Sequence, residues 1–578
     1  MVAKQYNKST LLLKAAAFLL LPSFSLAGPA KDYFSDNNST VYQNKTNSSN
    51  LNAKNPLIKI NSFDLSRLKN IEEYGIKSQD LDDIVKEDQK ENNSLYSLVR
   101  LELLADKLSL YYRKKGLILT KVYFPPQNIK KRTLYIDLVL GEIEDVIVNK
   151  NELYSNERLI RPFMDLLNKP AFIPSLESSL IEINNYPGVS INTRFKEGDA
   201  IGKSKIDILI KEEHMSDFNF SFDNYGSEYT GSMRGTLSAS FYNLTDHADR
   251  LNINALATFN PTNSFYLGAN YGFKLAPYYN DPGLNNFFKH GVNVTFGYQE
   301  TQYTVGGDFE GLNYKGKANT FYLQFDKDLI LRNSHKLNTS IKLSKKLAQT
   351  TEGNDTTSKT TDNQLSIFNW GTTLRWNDFI GSQSANIIRF DYHRGLPGFA
   401  GAMENNDEDI AREGKNEVKA PMDFTRFNLT VSRNQRVGPY QLITRLTSQY
   451  TDDLLLPSEQ SSLGGATSVR GYANSDFTGD TSNIISVEII SQSNARKLVL
   501  PISNLKLATF IDYGIGTRID ALAGSEQSSA EMISVGGYAQ FLKEGKFSSK
   551  LEIAMPLTTV GDSDNKQFEV LFNFNRGF

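Results

Sequence analysis

The sequence predicts a membrane β-barrel of sixteen antiparallel strands, preceded by two small α+β modules. Three observations carry this. Near residue 214 the apolar period changes from that of a helix to strict alternation. The alternating stretches are at least as long as the ~9 to 11 residues that a transmembrane barrel strand needs, with aromatic ends. The connections between them sort by parity into long and short, as the two rims of an outer-membrane barrel do.

Composition narrows the function before any element is placed. The 578 residues carry 63 basic and 65 acidic side chains, no cysteine and five histidines. Without cysteine there is no disulfide framework, thiolate metal site or cysteine nucleophile. No H-E-x-x-H, G-x-S-x-G, Walker A or G-x-G-x-x-G pattern occurs, so an enzyme with a resident cofactor or metal is not expected. Met1 to Ala27 has a basic front (Lys4, Lys8), an apolar stretch over Leu11 to Leu13 and Ala15 to Leu21, and Ser25-Leu26-Ala27 before Gly28. This is the pattern of a secretory signal peptide cut after Ala27. Removing it takes away Lys4, Lys8 and Lys14, so the balance becomes 60 − 65 = −5, which argues against a nucleic-acid partner. No later apolar run reaches the ~18 residues of a spanning helix.

Residues 28 to 55 are rich in Asn, Ser, Thr and Lys and read as a polar linker. The first module is expected over 56 to 141. Leu101, Leu104, Ala105, Leu108 and Tyr111 share one helical face, Asn93 and Ser94 are positioned to cap its start, and Arg113 to Gly116 suit its end. Strands Leu117 to Phe124 and Thr133 to Leu140 follow. The second module, 142 to 213, repeats the plan with helices near Asn156 to Leu167 and Leu176 to Asn185, then strands Val189 to Phe195 and Lys205 to Lys211.

Barrel strands are expected near 216-225, 229-243, 248-260, 262-277, 285-302, 316-331, 335-350, 362-380, 382-397, 419-437, 439-456, 482-494, 505-519, 531-544, 547-557 and 565-578. Connections 303 to 315, 351 to 361, 398 to 418 and 457 to 481 are long. Those at Arg332-Asn333-Ser334, Gly381, Gly438 and Gly545-Lys546 are tight. A soluble β-sandwich has no reason to sort its loops in this way. The last strand places Phe568, Val570, Phe572, Phe574 and Phe578 on one face, interrupted by Arg576, and ends on Phe578. That ending resembles the assembly signal of bacterial outer-membrane proteins.

Within the sixth external loop, 457 to 481, lies Val469-Arg470-Gly471-Tyr472. Taken alone, Arg-Gly-Tyr in a loop is a surface turn. In a sixteen-stranded barrel behind two α+β modules it resembles the outer-membrane polypeptide translocases that carry POTRA (polypeptide-transport-associated) domains. Tyr112-Arg113-Lys114-Lys115-Gly116, Pro125-Pro126-Gln127 and Gly141-Glu142-Ile143 resemble the first POTRA signature of the two-partner secretion transporters (TpsB proteins). Asn184-Asn185-Tyr186-Pro187-Gly188-Val189 resembles the second. The resemblance covers about 56 to 578. The family's usual N-terminal plug helix finds no helical face in 28 to 55.

The resemblance implies that the sixth loop folds back into the barrel, so that Arg470 meets the acid of an F-x-D-x-G strand. Here that strand reads Phe510-Ile511-Asp512-Tyr513-Gly514. Alternation independently turns Phe510, Asp512 and Gly514 toward the lumen, and the same parity on Ile485, Val487 and Ile489 makes Glu488 a second inward acid. The implied function is an outer-membrane pore with periplasmic POTRA domains. It would secrete a large partner exoprotein through that partner's N-terminal secretion domain, without nucleotide hydrolysis. Cargo would be an adhesin, cytolysin, contact-dependent toxin or haem-acquisition protein. The alternative within the same superfamily is a factor that inserts other barrels. Expected partners are the exoprotein, outer-membrane lipid and the barrel assembly machinery, with the transporter a monomer; no nucleic acid and no cofactor is expected.

Overall fold

The computed structural model describes residues 56–68, 72–129, 131–259, 264–275, 291–353, 359–380, 383–405, 407–491, 505–522, 527–543, 547–560 and 568–578. The expected leader, the 28 to 55 linker, and the turns at Gly381 and Gly545-Lys546 lie outside them. The described chain divides after Glu213 into a soluble unit and a barrel unit.

In the soluble unit, helix Leu98–Lys114 buries Leu104, Ala105, Leu108, Ser109 and Tyr112. The buried stripe is therefore rotated slightly from the expected one. Tyr112 enters the core, while Tyr111 lies at its margin and donates its hydroxyl to Asp80 at 2.7 Å. Each buried leucine contributes about 1.5–3 kcal/mol. Ser109 ties the helix to the following strand: its hydroxyl donates to the Ala105 carbonyl at 2.7 Å and accepts from the Val122 amide at 2.8 Å. The cap differs from expectation. Ser97 accepts from the Arg100 amide at 3.3 Å. Asn93 and Ser94 instead take left-handed conformations that turn the chain out of a preceding helix, Ser78–Glu91, which the sequence reading missed. Its many charged residues left only a narrow apolar stripe, Leu81 and Val85.

The second module is a three-stranded sheet in the order Glu142–Asn149, Lys203–Glu213, Val189–Glu197, backed by helix Ile173–Asn184. Strand Glu142–Asn149 was not anticipated because a register shift between Ile143 and Asp145 breaks its alternation. Asp207, on the central strand, is fully buried and pairs with Arg194 at 2.7 Å and Lys196 at 2.8 Å. Burial alone would raise its carboxyl, but the bonds from Lys196 and Arg194 outweigh this and hold it below the usual carboxylate range.

Among the described residues sixteen antiparallel strands close the barrel, each paired to its sequence neighbour and the last to the first. All sixteen expected strands are present; the largest shifts at described ends are six residues, at Thr425 (expected at 419) and at Tyr450 (expected at 456). The hairpin His335–Glu352 and Lys359–Asp378 reaches further out than expected, with pairing to Glu352 opposite Lys359. Residues 351, 352 and 359 to 361 of the loop expected at 351 to 361 are thus strand. Closure is short, from Asn219 opposite Gly577 to Asp223 opposite Asn573. The Asn224 side chain prolongs it, donating to the Val570 carbonyl and accepting from the Phe572 amide, both at 2.8 Å. Phe578 adds a backbone bond to Phe218 at 2.9 Å and leaves its ring exposed. Along strand Leu505–Thr517 the even residues from Ala508 to Gly516 are buried, and Leu507 and Ile511 are exposed, as an inward and a lipid face require.

Candidate functional site

The sixth loop, 451 to 480, joins strands Tyr440–Tyr450 and Thr481–Ser491. Inside it, Ser461–Leu463 pairs with Phe477–Gly479, and the hairpin presents Val469 to Tyr472 to the lumenal wall. Val469 is fully buried against the gap left by Gly514, where an added Cβ would lie 2.5 Å from the valine Cγ2. Gly471 has φ +87°, a conformation that disfavours any side chain, and its Cα faces the backbone of Ala554 and Pro556. The Tyr472 hydroxyl sits 2.8 Å from the carbonyls of Ile533 and Thr558, bridging two strand ends.

Arg470 is 5% exposed yet makes a full set of charged contacts. Its Nε and Nη2 donate to the two carboxylate oxygens of Asp512, each at 2.7 Å, and its backbone amide donates to the same group at 3.2 Å. Nη1 reaches Glu488 at 2.7 Å and Glu552 at 3.4 Å. Ser486 bridges Arg470 and Asp512, at 3.1 and 2.7 Å. The guanidinium carbon lies 3.4 Å from the centre of the Phe510 ring. A bidentate, stacked guanidinium in this setting is held in one position rather than mobile.

Sequence reasoning did not find Glu552, Ser486, Gly536 or Asp480. Glu552 was accessible to the same parity argument, since Leu551 and Ile553 face outward on either side of it. Gly536 had no local signal. Its role is space, because a Cβ there would come 2.3 Å from the Ile553 carbonyl oxygen and 2.4 Å from the Phe510 ring. Asp480, fully buried, receives Arg412 of the fifth loop through two bonds of 2.5 and 3.0 Å, together with the amides of Leu455 and Ile519. It joins loops five, six and seven. At the stem of the same loop, buried Glu459 meets Lys346 and Arg426 of the barrel wall.

The POTRA-type signature residues build their modules. Gln127 bonds the amide and carbonyl of Tyr135 at 2.7 and 2.9 Å, as a neighbouring strand would. A Cβ on Gly141 would lie 2.2 Å from that of Leu119. Pro187 accepts the Tyr154 hydroxyl at 2.6 Å, and Gly188 has φ +73°.

A sixteen-stranded barrel behind two such modules, with its sixth loop clasped to the inner wall, defines an outer-membrane polypeptide translocase. The chain belongs to the haemolysin secretion/activation protein family, ShlB/FhaC/HecB, which residues 202–536 match, while residues 66–141 match the ShlB-type POTRA domain. It is 24% identical over 483 residues to the heme/hemopexin transporter protein HuxB of Haemophilus influenzae, covering 82% of this chain and 80% of that one. It is 21% identical over 401 residues to the outer membrane transporter CdiB of Dickeya dadantii, covering 67% and 65%. The solved structure of CdiB from Escherichia coli superposes with a TM-score of 0.69 at 17% identity, covering 93% of each chain. The protein is thus an outer-membrane transporter of two-partner secretion, with its POTRA modules in the periplasm.

Proposed function

We propose that this transporter exports one large β-helical exoprotein, of the adhesin, cytolysin, contact-dependent toxin or haem-acquisition kind, and that Val469 to Tyr472 hold the resting pore shut. The observation that carries the reading is the burial of Arg470 among Asp512, Glu488 and Glu552 on the lumenal wall. A loop so held must leave, or shift, before a polypeptide passes. The client's secretion domain docks on the POTRA modules by adding a strand to a sheet edge. Of the two edges of the second sheet, Glu142–Asn149 is partly covered by 167–170, through bridges from Ile143 to Leu167 and Glu142 to Pro170. Val189–Glu197 is the better candidate. Folding of the client outside biases its movement, and no nucleotide takes part. Insertion of other barrels is the weaker reading, because the chain's family is one of secretion proteins. Co-expression with a candidate large exoprotein tests the proposal. Secretion should require the transporter and should stop when residues 56 to 213 are deleted, with the barrel still heat-modifiable.

A further inference from the structure

Lys345 lies on strand His335–Glu352, on the face opposite Lys342 and Lys346; Lys346 points into the lumen at Glu459. Outward alternation on a barrel wall calls for an apolar residue. On one side its cross-strand neighbours are aromatic: the row reads Tyr298, Phe321, Lys345, Ser366, and Phe321 and nearby Phe296 are exposed to the outside. The ammonium is buried and has no acceptor among the described residues. A lysine at a membrane rim ordinarily extends its head to water. Here the fifth loop closes over it. Ser366 donates to the Phe399 carbonyl at 2.7 Å, and a Cβ on Gly401 would stand 3.7 Å from the Lys345 nitrogen. Between loop and wall is an open cavity of about 520 Å³, lined by Phe296, Tyr298, Phe321, Leu343 and Phe399 as well as Lys345.

We infer that this cavity binds a phosphorylated, acylated lipid of the outer leaflet, its phosphate on Lys345 and an acyl chain along the aromatic wall. A buried cation without a counter-charge calls for an anion, and the lining calls for hydrocarbon. The level fits as well. From His335, at the periplasmic turn, to Lys345 is ten residues. At ~3.3 Å per residue and a tilt of ~40° the ammonium stands roughly 25 Å above that rim, at the outer edge of an apolar band about 25 Å tall. A free phosphate would satisfy the charge and leave the groove unfilled.

The test is native mass spectrometry of the full-length protein in detergent. The probes are diphosphorylated lipid A, the same glycolipid stripped of phosphate, and inorganic phosphate. Wild type and Lys345→Arg should retain lipid A. Lys345→Met, which keeps the aliphatic stem, should bind it about tenfold or more weakly, as loss of one charge-assisted contact implies. The dephosphorylated glycolipid should be equally weak on wild type. Heat-modifiability reports that each variant is folded, and retention by Lys345→Arg with loss in Lys345→Met isolates the charge. Undiminished lipid A on Lys345→Met would overturn the inference. So would its displacement by millimolar inorganic phosphate, which would make this an anion site alone.

Discussion

The guanidinium of Arg470 lies 3.4 Å from the centre of the Phe510 ring, and that ring occupies the space left by Gly536 on the next strand. The clasp is therefore layered: glycine, aromatic ring, guanidinium, carboxylates. Its position depends on an uncharged residue that carries no side chain.

This layering makes Gly536 a test of geometry apart from charge. Gly536→Val should press on the Ile553 carbonyl of the neighbouring strand and push Phe510 toward the lumen, with an overpacking cost of about 1–3 kcal/mol, and shift Arg470 off Asp512. Channel conductance in planar bilayers should change as it does in Arg470→Ala, although every charge is retained. Wild-type conductance in a folded Gly536→Val barrel would show that the ring does not position the arginine.

The pair itself is checked by a double-mutant cycle. Asp512 is fully buried and Arg470 nearly so, and removing one member of such a pair leaves the other charge stranded at about 3–5 kcal/mol, less where lumenal water reaches it. Arg470→Ala and Asp512→Ala should each impair secretion and alter conductance with the barrel inserted, and together they should lose much less than the sum. Because Glu488 and Glu552 also face Arg470, Arg470→Ala should be the more severe single change: among the described residues the three carboxylates then share only Lys550, 2.5 Å from Glu552. Additive losses would exclude a coupled pair.

How much of this was legible beforehand differs by type of information. Parity placed Phe510, Asp512 and Gly514 on the inner face because a one-residue slip would have moved Leu507 and Ile511 into the lumen. The strands, their order and the motif were readable for that reason. What alternation could not supply was anything set by empty space or by distant loops. Gly536 matters for what it lacks, and the bond between Arg412 and Asp480 joins residues 68 positions apart with no periodic signal. In the soluble unit the helix face was misphased by one residue, Tyr111 for Tyr112, since a tyrosine at the margin gives its hydroxyl to a polar partner, here Asp80, and lays its ring against the core.

That loop-to-loop bond carries its own prediction. Asp480 accepts from Arg412, Leu455, Gln460 and Ile519, so it holds three external loops with one buried carboxylate. Asp480→Ala should strand Arg412 and free these loops, at about 3–5 kcal/mol. Surface protease should then cut within 396 to 424 or 451 to 480 in intact cells, while the barrel stays heat-modifiable. Unchanged resistance to cleavage would show that the loops hold one another by apolar contact alone.

In the second module Asp207 predicts a pH dependence. Its folded-state pKa lies below the ordinary value, so its contribution is present above about 3.9 and is lost as pH falls through the folded value. Asp207→Asn should lower the stability of residues 142 to 213 at pH 6 by about 1.5 kcal/mol, toward the low end for charged hydrogen bonds because Arg194 and Lys196 both reach solvent. It should also flatten the acid dependence below pH 4. Hydrogen exchange of this segment in the full-length protein, corrected for intrinsic rates, measures both. A variant as acid-sensitive as wild type would remove Asp207 from the account.

The docking edge can be tested without disturbing the fold, because the orientation of one amide fixes that of its alternate neighbours. The Ile191 amide donates to the Asn184 side chain at 3.0 Å, so it points away from the central strand Lys203–Glu213. In an antiparallel pair such outward amides recur at every second residue, which turns Thr193 and Phe195 outward too, and the Asn184 side chain covers only the first. Proline lacks this donor and is tolerated on an edge whose amide is not used internally. Thr193→Pro should therefore leave the sheet and barrel intact and remove one bond from any strand added by the client. Secretion should fall severalfold while amide protection along Lys203–Glu213 is retained, and the neighbouring Arg194→Pro, which strikes an inward donor, should lower both. Full secretion by Thr193→Pro with an intact sheet would move the docking site away from this edge.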